Sequence, residues 1–244
     1  MGHPVEILRQ ILSEEFSSDL PAGIHAVTEW CADPQFFPGA TGLLSASSWS
    51  DVKPGSSGIL QEPPPAPIGG VIALGNYQAT ISSYRRILSG EIGGLPTTWR
   101  NLSKLLEAVP PHEVFLTNAY IGFPDSRSDI EKFPTNPEYT RRCRRLLATT
   151  ISLLQPRCVV AMGAPAARML AATVPALTAW RPWPGLAKLS AAGTRMVPLC
   201  AMDGRTFTAV AVAHPSSRIS NVQRTVESVL VQAASNPGPS SESR

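Results

Sequence analysis

The side chains best placed to do chemistry in this sequence stand at the ends of apolar runs. The clearest is His214. It follows Thr208-Ala209-Val210-Ala211-Val212-Ala213, small and branched residues without a charge, and precedes Pro215-Ser216-Ser217-Arg218. Such a run reads as a buried parallel strand. A parallel strand delivers the residue after it to the carboxyl edge of its sheet, where open α/β sheets bind ligands. An imidazole there can donate or accept a hydrogen bond or hold a charge; equally, it can merely close a loop. Asn118 ends a second apolar run, Val114-Phe115-Leu116-Thr117, and its carboxamide both donates and accepts. The alternative for Asn118 is capping its own turn. A third run, Val71-Ile72-Ala73-Leu74-Gly75, opens into Asn76-Tyr77-Gln78. Tyr77 suits stacking on a planar ligand or packing within its loop.

The elements that must position these residues follow from periodicity. Pro4 to Ser17 puts Ile7, Leu8, Ile11, Leu12 and Phe16 on one helical face. Helices are also predicted over 81–88, 98–109, 138–154, from Ala164 to Ala172, and over 221–233. Strands are predicted at 69–75, 113–118, 157–163, 196–199 and 206–213. Strands alternating with helices in this way imply a mostly parallel sheet covered on both faces. The loops after Gly75, Asn118, Gly163 and Ala213 then share one edge. Residues 30–67 form a long Pro/Gly/Ser-rich loop, whose Phe36, Phe37 and Trp49 favour a segment folded onto the domain. One domain is expected over 1–234, with a disordered tail at 235–244 that lacks apolar anchors.

Composition narrows the function. The net charge of +3 permits a phosphate-bearing partner without demanding one. The dense cluster Arg141-Arg142-Cys143-Arg144-Arg145 lies on a predicted helix, where such runs are usually solvated faces. Four cysteines, at 31, 143, 158 and 200, form no CxxC pair, so neither a zinc site nor a disulfide framework is expected. No apolar run is long enough for a membrane helix and no signal peptide stands at the start, so a cytoplasmic protein without membrane contact is expected. The segment after Gly75 lacks the glycine triplet of a dinucleotide-binding turn.

Four segments together resemble the uracil-DNA glycosylase superfamily: Val71–Gly75 with its turn, Leu116-Thr117-Asn118-Ala119, Arg142-Cys143 through Pro156–Ala164, and Ala213-His214-Pro215-Ser216, in the family's order over residues 68–232. The resemblance implies a three-layer α/β/α sandwich around a central four-stranded, mostly parallel sheet. It implies a DNA glycosylase, a monomer without cofactor or metal, that flips out and excises uracil or a modified pyrimidine. His214 and Asn76 then fall in the catalytic group, and Gly75, Tyr77, Gln78 and Asn118 in the base-binding group. Ser216, Ser217 and Arg218 fall in the DNA-inserting loop, as phosphate contacts or as filler of the gap left by the base.

The first motif departs from the family pattern. Gln78 stands where a proline is usual and Tyr77 where the water-activating Asp or Asn is usual, with Asn76 one residue early. Asp125 or Asp129 is a substitute carboxylate. Only Cys143 matches a position of the family's iron-sulfur members, so no cluster is expected. The departure leaves two readings besides uracil excision: a modified cytosine of phage DNA as substrate, and a catalytically silent DNA-binding module of the same fold.

Overall fold

A computed structural model describes residues 3–26, 48–49, 66–77, 80–89, 91 and 97–236 of the chain. Gln78, Cys31 and most of the 30–67 loop lie outside the described residues, as do residues 237–244 of the expected tail.

The chain opens with helix α1 (Pro4–Glu15), which starts on a proline in its first turn and buries Val5, Leu8 and Leu12. A two-residue strand β1 (Ile24–His25) follows. Strand β2 (Val71–Tyr77) is buried along nearly its whole length and leads into α2 (Ile81–Leu88) and α3 (Thr97–Leu105). Next come β3 (Val114–Tyr120) and the short β4 (Phe123–Pro124), which pairs antiparallel with β1. The longest helix, α4 (Pro137–Leu154), is capped by Asn136, whose side chain accepts the Tyr139 N–H at 2.9 Å, and it ends on Gln155 in the left-handed region before Pro156. Strand β5 (Cys158–Met162), α5 (Ala164–Thr173), α6 (Leu186–Ala191), β6 (Met196–Met202), β7 (Arg205–Val212) and α7 (Asn221–Ser235) complete the order.

The main sheet runs β3-β2-β5-β7-β6. Four strands are parallel and β6 is antiparallel to β7, so the sheet has five strands and not the four that the resemblance implies. The reason is legible afterwards in Asp203-Gly204. Both residues take positive φ, 48° and 74°, which makes the two-residue turn that joins β6 to β7 as a hairpin. β6 accordingly extends to Met202 rather than stopping at Leu199.

Side-chain alternation divides the core. Ile72 and Leu74 of β2 face α1, α4 and α5, among Leu8, Tyr139, Leu147 and Leu170. Val71 and Ala73 face α3 and α7, among Leu102, Leu106, Val210 and Val231. The result is the α/β/α layering expected. The 30–67 loop touches the domain at Trp49, whose indole donates to the Leu106 and Val109 carbonyls at 3.2 and 2.9 Å.

The arginine cluster is mostly structural. Arg141 pairs with Glu138, and Arg145 reaches Glu15 of α1 at 2.8 Å. Arg142 lies over the Phe16 and Tyr139 rings and donates to carbonyls of residues 15 to 19. The Arg142 and Arg145 contacts pin α1 to α4, the Arg141 pair lies within α4, and three of the four guanidinium groups are thus occupied.

Candidate functional site

Registry brings the polar strand ends to one edge. Gly75 lies opposite Asn118, Leu74 opposite Ala161, and Met162 opposite Val212, so the segments after β2, β3, β5 and β7 leave the sheet at nearly the same height.

His214 stands two residues after the end of β7 and sits half-buried. The Ser216 N–H points at its Nδ1 at 3.2 Å, with Ser216 Oγ at 2.6 Å. A backbone N–H can only donate, so Nδ1 carries the lone pair and the ring proton resides on Nε2. Burial pushes the His214 pKa below its ordinary value of 6.5, which keeps the ring neutral at physiological pH. The turn itself is tied from both helices of that face. Asn101 of α3 donates to the Pro215 carbonyl at 2.7 Å, and Arg224 of α7 donates to the Ser217 carbonyl at 3.0 Å. Ser216, Ser217 and Arg218 are exposed beside it.

Asn76 is buried near the end of β2, two strands from β7. Its Oδ1 accepts the Ala166 N–H at 3.2 Å. Helix α5 begins on Gly163, which has no side chain to cap the third amide, and Asn76 supplies the missing acceptor from β2. Gly163 also decides how close the strand ends come. A β-carbon there would fall 2.9 Å from Asn76 Nδ2, 3.1 Å from its Oδ1 and 3.3 Å from His214 Cβ. Asn76 and His214 therefore flank one glycine, whose φ of 93° and ψ of 173° belong to glycine almost alone. Gly163→Ala is expected to cost about 1–3 kcal/mol from backbone strain and to displace the Asn76 amide, read as a lower urea midpoint together with lost activity.

Asn118 is buried, and among the described residues its Nδ2 has no hydrogen-bond partner. A buried unpaired amide costs stability, and its own turn does not absorb this donor. Asn118 continues the row of Val114 and Leu116, which faces the α3 and α7 layer, the same layer that Val210 and Val212 of β7 face.

Tyr77 has a partner within the protein: its ring is nearly parallel to Phe133, 6° between planes and 6.3 Å between centroids. Phe133 in turn packs on Tyr120 and Tyr139. The loop-packing role considered for Tyr77 is thus the one its contacts display, although the residue remains partly exposed. The substitute carboxylates are also engaged. Asp125 is hydrogen-bonded to His25, and Asp129 accepts from the Ser126 N–H at 3.0 Å in a capping box.

Cys143, Cys158 and Cys200 are buried free thiols in three different elements. Burial pushes Cys143 up to about 11 and Cys158 up to about 12, so both thiols are protonated near neutrality. Among the described residues no group of three or more His, Cys, Asp or Glu side chains could hold a metal ion, and no helix is long and apolar enough to cross a membrane.

Sequence reasoning missed Gly163, Asn101 and the buried Arg195–Glu227 ion pair. Only Gly163 carried a signal, a glycine between an apolar strand and a proline-led helix.

No curated protein matches the chain. Comparison with protein families matches residues 85–234 to the uracil DNA glycosylase superfamily. The matched stretch holds Asn118, Gly163 and His214, while β2 and its unusual turn lie before it. A match over more than half of the sequence, on a parallel sheet whose strand ends gather an imidazole and two carboxamides, places the chain in one family: it belongs to the uracil DNA glycosylase superfamily.

Proposed function

We propose that this protein is a monofunctional DNA glycosylase that hydrolyses the bond between C1′ and an everted pyrimidine, uracil or a modified base. The superfamily acts on DNA and has glycosylase function in general terms. The observation that carries the specific reading is the neutral His214 with its proton on Nε2. When the glycosidic bond breaks, its electron pair stays with the base and negative charge gathers on O2. A fixed neutral donor aimed at that oxygen stabilises the departing anion without first losing a charge of its own. The sugar is left cationic at C1′ and is captured by water, whose proton goes to solvent.

Asn118 is the base reader in this scheme. Three inter-strand steps separate β3 from β7, roughly 14 Å at ordinary spacing, and two side chains reaching inward narrow that span toward the width of a base. Among the described residues the Asn118 Nδ2 donor has no protein acceptor, which a pyrimidine carbonyl would supply. Asn76, beside His214 across Gly163, orients the water through the remaining capacity of its amide. Gly75 lets the base approach the β2 backbone, and Tyr77 lies beside it. Ser216 and Ser217 contact phosphate, with Arg218 on phosphate or in the gap left by the base.

The test is base release from single- and double-stranded oligonucleotides carrying uracil and a panel of modified cytosines and thymines. Alkali-labile sites at one or more of these bases are expected. Binding without release across the panel supports the second reading, a silent DNA-binding module. A specific observation favours that alternative: Asn76 Oδ1 already accepts from Ala166, and Asp125 and Asp129 are both engaged elsewhere.

A further inference from the structure

The outer edge of β7 loses its partner strand just where His214 must be held. Met196, the first residue of β6, pairs with Val210. One residue earlier the Arg195 carbonyl still accepts the Ala211 N–H at 2.9 Å. Beyond that the chain leaves the sheet, because the Thr194 carbonyl accepts the Trp180 indole at 2.7 Å and the Thr194 N–H donates to Leu189. The Ala211 carbonyl and the Ala213 N–H point to this same vacated side and would be orphaned.

Two charged side chains take the place of the missing backbone. Arg195 Nε donates to the Ala211 carbonyl at 2.9 Å. Glu227 of α7 accepts the Ala213 N–H at 3.0 Å, and the same carboxylate oxygen accepts from the second guanidinium nitrogen of Arg195 at 2.6 Å. The donor and acceptor alternate as they would along a strand, one rung after another. The pair is interior, with Glu227 1% and Arg195 8% exposed. Buried ion pairs are poor sources of stability, since apolar residues of similar volume often replace them without loss. Their value here is directional.

We propose that Arg195 and Glu227 are positioning residues for His214, carrying the β7 ladder up to the residue before the imidazole and so fixing the direction of Nε2–H. Neither touches the base. The activity arm of the test rests on the glycosylase reading; the spectroscopic arm does not.

The experiment compares wild type with Arg195→Met/Glu227→Leu, which fills the same space without charge, using ¹⁵N-histidine spectra, DNA affinity and single-turnover base release. In wild type one His214 signal set is expected, with the proton on Nε2. In the double variant, those signals are expected to move toward averaging between tautomers, with a lower thermal midpoint because the Ala211 carbonyl and the Ala213 N–H lose their partners. Base release is expected to fall about ten- to a hundredfold, with DNA affinity little changed. Glu227→Gln keeps an oxygen for Ala213 but weakens the hold on Arg195, and the same changes at smaller amplitude are expected; it decides the matter if the double variant does not fold. Unchanged His214 signals in a folded variant overturn the proposal. If wild type releases no base from any substrate, the glycosylase reading fails while the His214 spectra still test the clamp.

Discussion

His214→Ala is expected to lower single-turnover base release by about 10²–10³, with DNA affinity nearly unchanged. The effect is one of differential stabilisation. The ground-state base is neutral at O2, so the Nε2–H donor contributes little to binding and most when charge develops there. A loss of affinity equal to the loss of rate would mean that His214 merely binds, and the role assigned to it would have to be abandoned. The same substitution has a signature in stability. Burial holds the folded-state pKa of His214 below 6.5, so below pH 6.5 the unfolded chain takes up a proton that the folded protein refuses. Wild-type stability contributed by the neutral ring is therefore complete above 6.5 and declines as the pH falls from 6.5 toward the lowered value. His214→Ala lacks this dependence. Urea midpoints of the two proteins, compared from about pH 7.5 down, are expected to show the wild type losing ground to the variant on the acid side.

Asn118→Ala is expected to separate stability from function. The Nδ2 donor is buried and unpaired among the described residues, and a buried polar group without a partner costs about 1–3 kcal/mol. Removing it relieves that cost against the small cavity left behind, so the urea midpoint is expected to hold or rise. If the amide reads the base edge, kcat/KM for the preferred base falls roughly ten- to a hundredfold and discrimination between bases narrows. A variant that loses stability and keeps its base preference would show that the amide serves the fold alone. The opposed signs make this a sharper test than a simple loss of activity, because destabilised proteins lose activity for many reasons.

Several readings of the sequence depended on local signals and hold for local reasons. The apolar runs of β2, β3, β5 and β7 form a buried parallel core, and their polar ends reach one edge because a parallel sheet with covered faces leaves no other arrangement. The helices fall where proline, asparagine and serine open them, as at Asn136-Pro137 and Ser220. The strand count was four by analogy and five in fact. Strands at 196–199 and 206–213 were both expected, but the first stopped three residues short of the Asp203-Gly204 turn, so the two were not read as the arms of one hairpin.

The chain by itself therefore determined the order of elements, the layering and the edge at which His214, Asn118 and Asn76 must appear, since these follow from periodicity and from the handed, parallel connection of strands. Only the tertiary structure decided what those side chains are doing: that Tyr77 lies against Phe133, that Asn76 caps α5, that Ser216 fixes the His214 tautomer, and that Arg195 and Glu227 complete the ladder beneath it. Each of these is a directed contact, several of them between residues distant in sequence. Such contacts leave no periodic trace, because hydrogen bonds depend on ångström-scale placement that is settled only when the layers pack.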